Sequence, residues 1–182
     1  LIPDGYSFFY PYPTGNTFDC NQTWWMQTIN KLGAQLLVNN AYSGSCVAVG
    51  SSGTNTDSRL ASSVVQSEKP DVIIIYMGSN DAASSSITTA IFKQEYKVML
   101  DKLKALCPDA EIILMELPKS KLYNDIRQTD FNNVIDNYGT EYNCKVIDCK
   151  NIDIVPTLID SAHPFNSGMD LIANNIIAQL IK

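Results

Sequence analysis

The chain holds a single histidine, His163, in the run Asp160-Ser161-Ala162-His163-Pro164. An acid three residues before a histidine is a spacing that pairs a general base with its orienting carboxylate. Imidazole both takes and gives a proton near neutral pH, so hydrolytic acid/base chemistry here would fall to His163. Two other runs carry residue types such chemistry needs. Ala41-Tyr42-Ser43-Gly44-Ser45 offers backbone N–H groups in a turn, and Gly78-Ser79-Asn80-Asp81 offers a side-chain amide. Taken singly each run is ordinary: Ser-Gly-Ser is a common turn, and Gly-Ser-Asn-Asp also suits a helix cap.

The elements expected around these runs put all three on one rim. Helical patterns run over Gln22 to Leu32, closed by Gly33, over Asp57 to Gln66, and over Ile87 to Leu106, stopped near Pro108. Asp125 to Tyr138 and Ser167 to Ile181 follow with helical spacing. Apolar or β-branched runs predict strands at Gln35 to Asn39, Asp71 to Tyr76, Glu111 to Glu116 and Lys145 to Asp148. The alternation predicts an α/β chain with a mostly parallel sheet covered by helices on both faces, in a single domain over residues 1–182. In such a sheet, the loops after the strand ends carry the site. Leu1 to Cys20 stands apart, with three prolines, six aromatics and no periodicity.

Composition narrows the function. The chain has 182 residues and a net charge of -6, so it offers little to neutralise the phosphates of a nucleic acid. No run of about eighteen apolar residues is present to span a membrane. One histidine and five irregularly spaced cysteines (Cys20, Cys46, Cys107, Cys144, Cys149) without a Cys-x-x-Cys argue against a metal centre. No cofactor is expected. Buried thiols are the default for those cysteines, and their spacing leaves the redox compartment open.

The three runs in this order resemble the SGNH (GDSL-type) hydrolase family, over Thr23 to Lys182, and within it a bacterial lipase and acylhydrolase subgroup. The resemblance implies a three-layer α/β/α sandwich of flavodoxin-like order. It also implies oxyanion donors at Gly44 and Asn80, a general base at His163 and its orienter at Asp160. Pro164 and the Asn166-Ser167-Gly168 helix start fit the family pattern, as do Thr23-Trp24-Trp25 and Leu37-Val38-Asn39-Asn40. The family's first marker, a nucleophilic serine in Gly-Asp-Ser at the end of the first strand, is absent. Ser7 is the one serine near the start, and no strand precedes it. The aromatic loop that follows the motif in this subgroup looks like Leu1 to Pro13. The chain, which begins at Leu1 rather than Met, is therefore expected to start just after the nucleophile, with the first strand missing between Gln35–Asn39 and Asp71–Tyr76.

The activity so implied is hydrolysis of small acyl esters, acetyl groups on carbohydrate among them, in a bacterial setting that is secreted or at the cell surface. Tyr6 to Tyr12 with Trp24 and Trp25 would stack on sugar rings, although tryptophans in a helix also serve as core. A lipase or thioesterase stays open as a near alternative. A catalytically incomplete member that binds carbohydrate or a partner stays open as well.

Overall fold

The computed structural model describes residues 19–41, 44–48 and 69–181. The expected helix Asp57 to Gln66 and the segment Leu1 to Pro13 lie outside these residues. The described chain divides into two compact units. One comprises residues 19–37, 118–121 and 151–181, the other residues 38–41, 44–48, 69–117 and 122–150.

The second unit holds the sheet. Strands β1 (Val72–Ile75), β2 (Glu111–Met115) and β3 (Lys145–Ile147) run parallel in the order β1-β2-β3. Val72 pairs with Glu111, and Ile113 with Lys145. The fold class is therefore the α/β, parallel-sheet one expected. β2 is central, and its residues Ile112 to Met115 are buried, as an apolar strand with two neighbours should be. β1 is equally apolar but pairs along one edge only among the described residues, and Val72 stays 47% exposed.

Among its described residues this unit also holds the helices α2 (Ser79–Ala83), α3 (Thr89–Leu106) and α4 (Asp125–Glu141). Thr88 caps α3 by accepting from the amide of Ile91, and Asn124 caps α4 by accepting from that of Arg127. Helix α3 buries Phe92, Tyr96, Met99, Leu100 and Leu103, which share one face at helical spacing. Helix α4 answers with Phe131, Val134, Ile135 and Tyr138. Phe92 meets Phe131 at 4.3 Å between ring centroids, and Tyr96 stacks on Tyr138 at 6.0 Å. These rings and the inward residues of β2 form one apolar core.

The first unit pairs α1 (Trp24–Lys31) with α5 (Asn166–Leu180). A short 3-10 turn, Cys20–Gln22, leads to Thr23, whose hydroxyl caps α1. Gly33 ends it at φ 65°. Gln27 of α1 donates to Asp170 of α5 at 2.9 Å. Helix α5 buries Gly168, Met169, Ile172, Ala173 and Ile176 along one stripe.

One expected element is corrected. Gln35 to Asn39 is not a strand: residues 34–40 pair with none of the described strands, and Leu37 is 48% exposed. A short run around Leu36-Leu37-Val38 becomes a strand only when a ladder satisfies its backbone, and the run does not supply its own partner.

Candidate active site

The Asp160–His163 pair sits on a loop of the first unit that is closed on itself. Leu158 and Pro164 form an antiparallel bridge, Ile159 donates to the carbonyl of His163 at 2.7 Å, and Phe165 donates to that of Thr157 at 2.7 Å. Ser120 pins the loop tip by donating to the carbonyl of Ser161. The loop then enters α5 under tight packing. A Cβ on Gly168 would fall 2.2 Å from Thr157 Oγ1 and 2.5 Å from Pro164 Cβ, so glycine alone permits this approach.

Within the loop, one carboxylate makes three contacts. Asp160 Oδ1 accepts from the amides of Ala162 at 2.7 Å and His163 at 2.8 Å. Its Oδ2 lies 2.8 Å from His163 Nδ1. Partial burial works against ionisation, but the two amides and the imidazole together outweigh it and hold the Asp160 carboxyl at about 2. Facing an ionised carboxylate, the imidazole donates from Nδ1. Both side chains are about one-third exposed, so the pair stands at the surface of its unit.

Gly44 and Asn80 belong to the second unit, and the structure joins their segments directly. β1 runs into Gly78, which adopts φ 124°, and a Cβ there would come within 3.0 Å of the Phe92 ring. Helix α2 starts at once. Asn80 donates from Nδ2 to the carbonyl of Ser45 at 2.9 Å, next to Gly44. Asp81 accepts from the amides of Val47 at 3.0 Å and Ala48 at 2.9 Å. Burial pushes the Asp81 carboxyl up, against the pull of these backbone donors. Two consecutive side chains of α2 thus hold the segment 45–48, all of it buried. Gly44 is exposed, with φ 72° and open space where a Cβ would stand, so here glycine serves conformation rather than room. Ser45 takes one Nδ2 hydrogen of Asn80, and an amide carries two.

Sequence reasoning brings His163 to Asp160 and Asn80 to the Gly44 segment, and both pairings are present. Ser7 and Ser43 lie outside the described residues. Trp24 and Trp25 are half-buried on α1. Among the described residues, no group of three or more His, Cys, Asp or Glu side chains could hold a metal ion.

Several polar residues that shape the strand ends were not foreseen. Asn132 and Gln128 of α4 both donate to the carbonyl of Leu117, and Asn132 also accepts its amide at 2.7 Å. Glu116, fully buried, accepts from the amide of Cys149 and from Lys150 Nζ at 3.0 Å. Arg127 grips the carbonyls of α2 and the loop after it. A signal was present in the sequence: Gln128 and Asn132 are amides four residues apart, beside the apolar stripe of α4, where a buried side chain needs a partner.

Known proteins place the chain. Residues 1–180 match the family described as GDSL-like lipase/acylhydrolase. A Bacteroides uniformis protein classed as a GDSL-like lipase superposes with a TM-score of 0.69 at 22% identity, over 89% of this chain and 77% of that one. An active-site mutant of a family two carbohydrate esterase from Clostridium thermocellum gives 0.71 at 19% identity, over 89% of this chain and 54% of that one. A family two carbohydrate esterase from that organism in complex with cellohexaose gives 0.66 at 18% identity, with the same coverage of 89% and 54%. This chain therefore spans about half of the esterase. At these identities the likeness is one of fold. No curated protein matches the chain. The fold agrees with the family match, and this chain belongs to the GDSL-like lipase/acylhydrolase family.

Proposed function

We propose that the protein is a serine esterase that hydrolyses small acyl esters, acetyl groups on carbohydrate among them. The observation that carries this is the Asp160–His163 pair, with its carboxylate held ionised at 2.8 Å from Nδ1. In this reading His163 Nε2 takes the proton of the nucleophilic hydroxyl as it attacks the ester carbonyl. The carbonyl oxygen becomes an oxyanion and accepts N–H donors from Gly44 and from the second Nδ2 hydrogen of Asn80. Imidazolium then protonates the departing alkoxide. Water, deprotonated by the same imidazole, attacks the acyl-enzyme and regenerates the serine. Asp160 stabilises the imidazolium without taking its proton. The nucleophile in this reading is a serine of the Gly-Asp-Ser type, a motif that residues 1–182 do not contain.

The acyl and alcohol preferences rest on less. The solved carbohydrate esterase with cellohexaose supports a sugar ester, and the aromatic run Tyr6 to Tyr12 suits stacking on sugar rings. The test is a rate profile of the intact protein on p-nitrophenyl esters from acetate to palmitate, together with acetylated cello-oligosaccharide. The expected profile falls steeply beyond the shortest chains, and acetate is released from the oligosaccharide. A preference for palmitate would make the protein a lipase. No turnover of any ester, with binding to the oligosaccharide, would make it a non-catalytic module, the reading that the missing Gly-Asp-Ser favours.

A further inference from the structure

We propose that Arg127 is a positioning residue for the oxyanion donors, acting through α2 on Asn80 and on the segment that follows Gly44. This rests on the oxyanion reading of Asn80 and Gly44 given above.

Helix α2 is five residues long, a single turn and a fraction. A helix that short does not hold itself, because nucleation fixes several dihedrals for the first hydrogen bond. From its own backbone the C-terminal end is closed by one amide, that of Ser84, which reaches the carbonyls of Asn80 and Asp81. Arg127, from the first turn of α4, supplies what is missing. Its Nε donates to the carbonyl of Ala82 at 3.0 Å. Its Nη2 lies 3.0 Å from the carbonyl of Asp81, 2.8 Å from that of Ser84 and 2.9 Å from that of Ile87. One guanidinium therefore closes the C-terminal end of α2 and the loop to Ile87. It also places a cation where the helix dipole favours one.

The guanidinium is itself fixed. Its carbon lies 4.7 Å from the ring centroid of Phe131, one turn along α4, and Phe131 is fully buried. The amide of Arg127 is held by the Asn124 cap. The result is a continuous chain of contacts: the core through Phe131, then Arg127, then α2, then two side chains reaching back. Asn80 holds the carbonyl of Ser45, and Asp81 holds the amides of Val47 and Ala48. If Asn80 donates to an oxyanion, its aim is set by how firmly α2 is seated, and Arg127 is what seats it. A displacement of about 1 Å at such a donor costs up to roughly 100-fold in rate.

The experiment measures kcat and KM on p-nitrophenyl acetate for the intact protein and for Arg127→Lys, Asn80→Ala and the double variant. Arg127→Lys keeps the charge but loses the planar fork that reaches several carbonyls at once. Arg127→Gln, which keeps one amide donor, is measured alongside so that one poorly folding variant does not end the test. Thermal unfolding and circular dichroism report whether each variant is folded at the assay temperature.

The expected result is a fall in kcat of roughly 10-fold for Arg127→Lys, with KM within about twofold. In the Asn80→Ala background the same substitution should change kcat by less than about twofold, because the donor it aims is gone. Equal losses in both backgrounds, or no loss in the folded Arg127 variants while Asn80→Ala falls by about 100-fold or more, would overturn the proposal and leave the oxyanion reading standing. Full activity in Asn80→Ala would remove the oxyanion reading itself, and the proposal with it.

Discussion

Asp160 meets His163 Nδ1 with Oδ2 and two loop amides with Oδ1, so an isosteric change separates orientation from shape. In Asp160→Asn the Oδ1 atom still accepts both amides, and the loop keeps its form. The amide nitrogen, however, now donates toward Nδ1 and moves the imidazole proton to Nε2, where the base should be bare. The expected loss in kcat is about 10³–10⁴, with an unchanged circular dichroism spectrum. Retention of the rate would show that Asp160 does not set the tautomer. The same carboxylate fixes a pH dependence. Its folded pKa of about 2 lies below the unfolded value near 4, so its contribution to stability is present above roughly pH 4 and fades as pH falls toward 2. Asp160 therefore stays ionised throughout the neutral range. The contact between Asp160 and His163 was legible because residue type and spacing carry it: acid, two residues, lone histidine. The role of Arg127 was not, since nothing in the order of residues says that a guanidinium on α4 will reach the carbonyls of a different helix.

The start of α5 decides where His163 stands. Gly168 lets the helix close on Thr157 and Pro164, and Pro164 follows His163 directly. Gly168→Ala forces one of these neighbours to move. The expected cost is about 1–3 kcal/mol, or several degrees in melting temperature for a chain of this size, with a lower kcat because the strain lies one residue from the imidazole. An unaltered melting curve and rate would show that the contact is slack. Elements with a strong period were legible within a residue or two. Glu111 to Glu116 is β2 at Glu111–Met115, and Ser167 to Ile181 is α5 at Asn166–Leu180. Helix α4 runs past Tyr138 to Glu141, its Gly139 packed where a Cβ would meet Val146 Cγ2 at 2.2 Å. That contact comes from β3 and leaves no mark in the helix's own sequence. Helix α2 shows in the sequence only as the cap-like run Gly78-Ser79-Asn80-Asp81, because a single turn has no period to detect. Gln35 to Asn39 looked like a strand because its residues suit one, whereas strand formation depends on a partner elsewhere in the chain.

The whole molecule divides its candidate chemistry between two units, the base and its orienter in one and the amide donors in the other. Each pair is built by its own local network: a self-bridged loop entering α5 for Asp160 and His163, and the seated turn α2 for Asn80 and the Gly44 segment. The net charge of -6 suits a neutral sugar ester better than a polyanion, and no described helix is long and apolar enough to cross a membrane. Family membership supplies the class of reaction, and the lone histidine makes that class testable at one position. The direct measurement is p-nitrophenyl acetate hydrolysis by the intact protein carrying His163→Ala, compared with the unaltered protein under the same conditions. With the sole imidazole removed, the rate should fall by about 10²–10⁴ while the fold persists. A folded His163→Ala protein that keeps most of its activity would contradict the account.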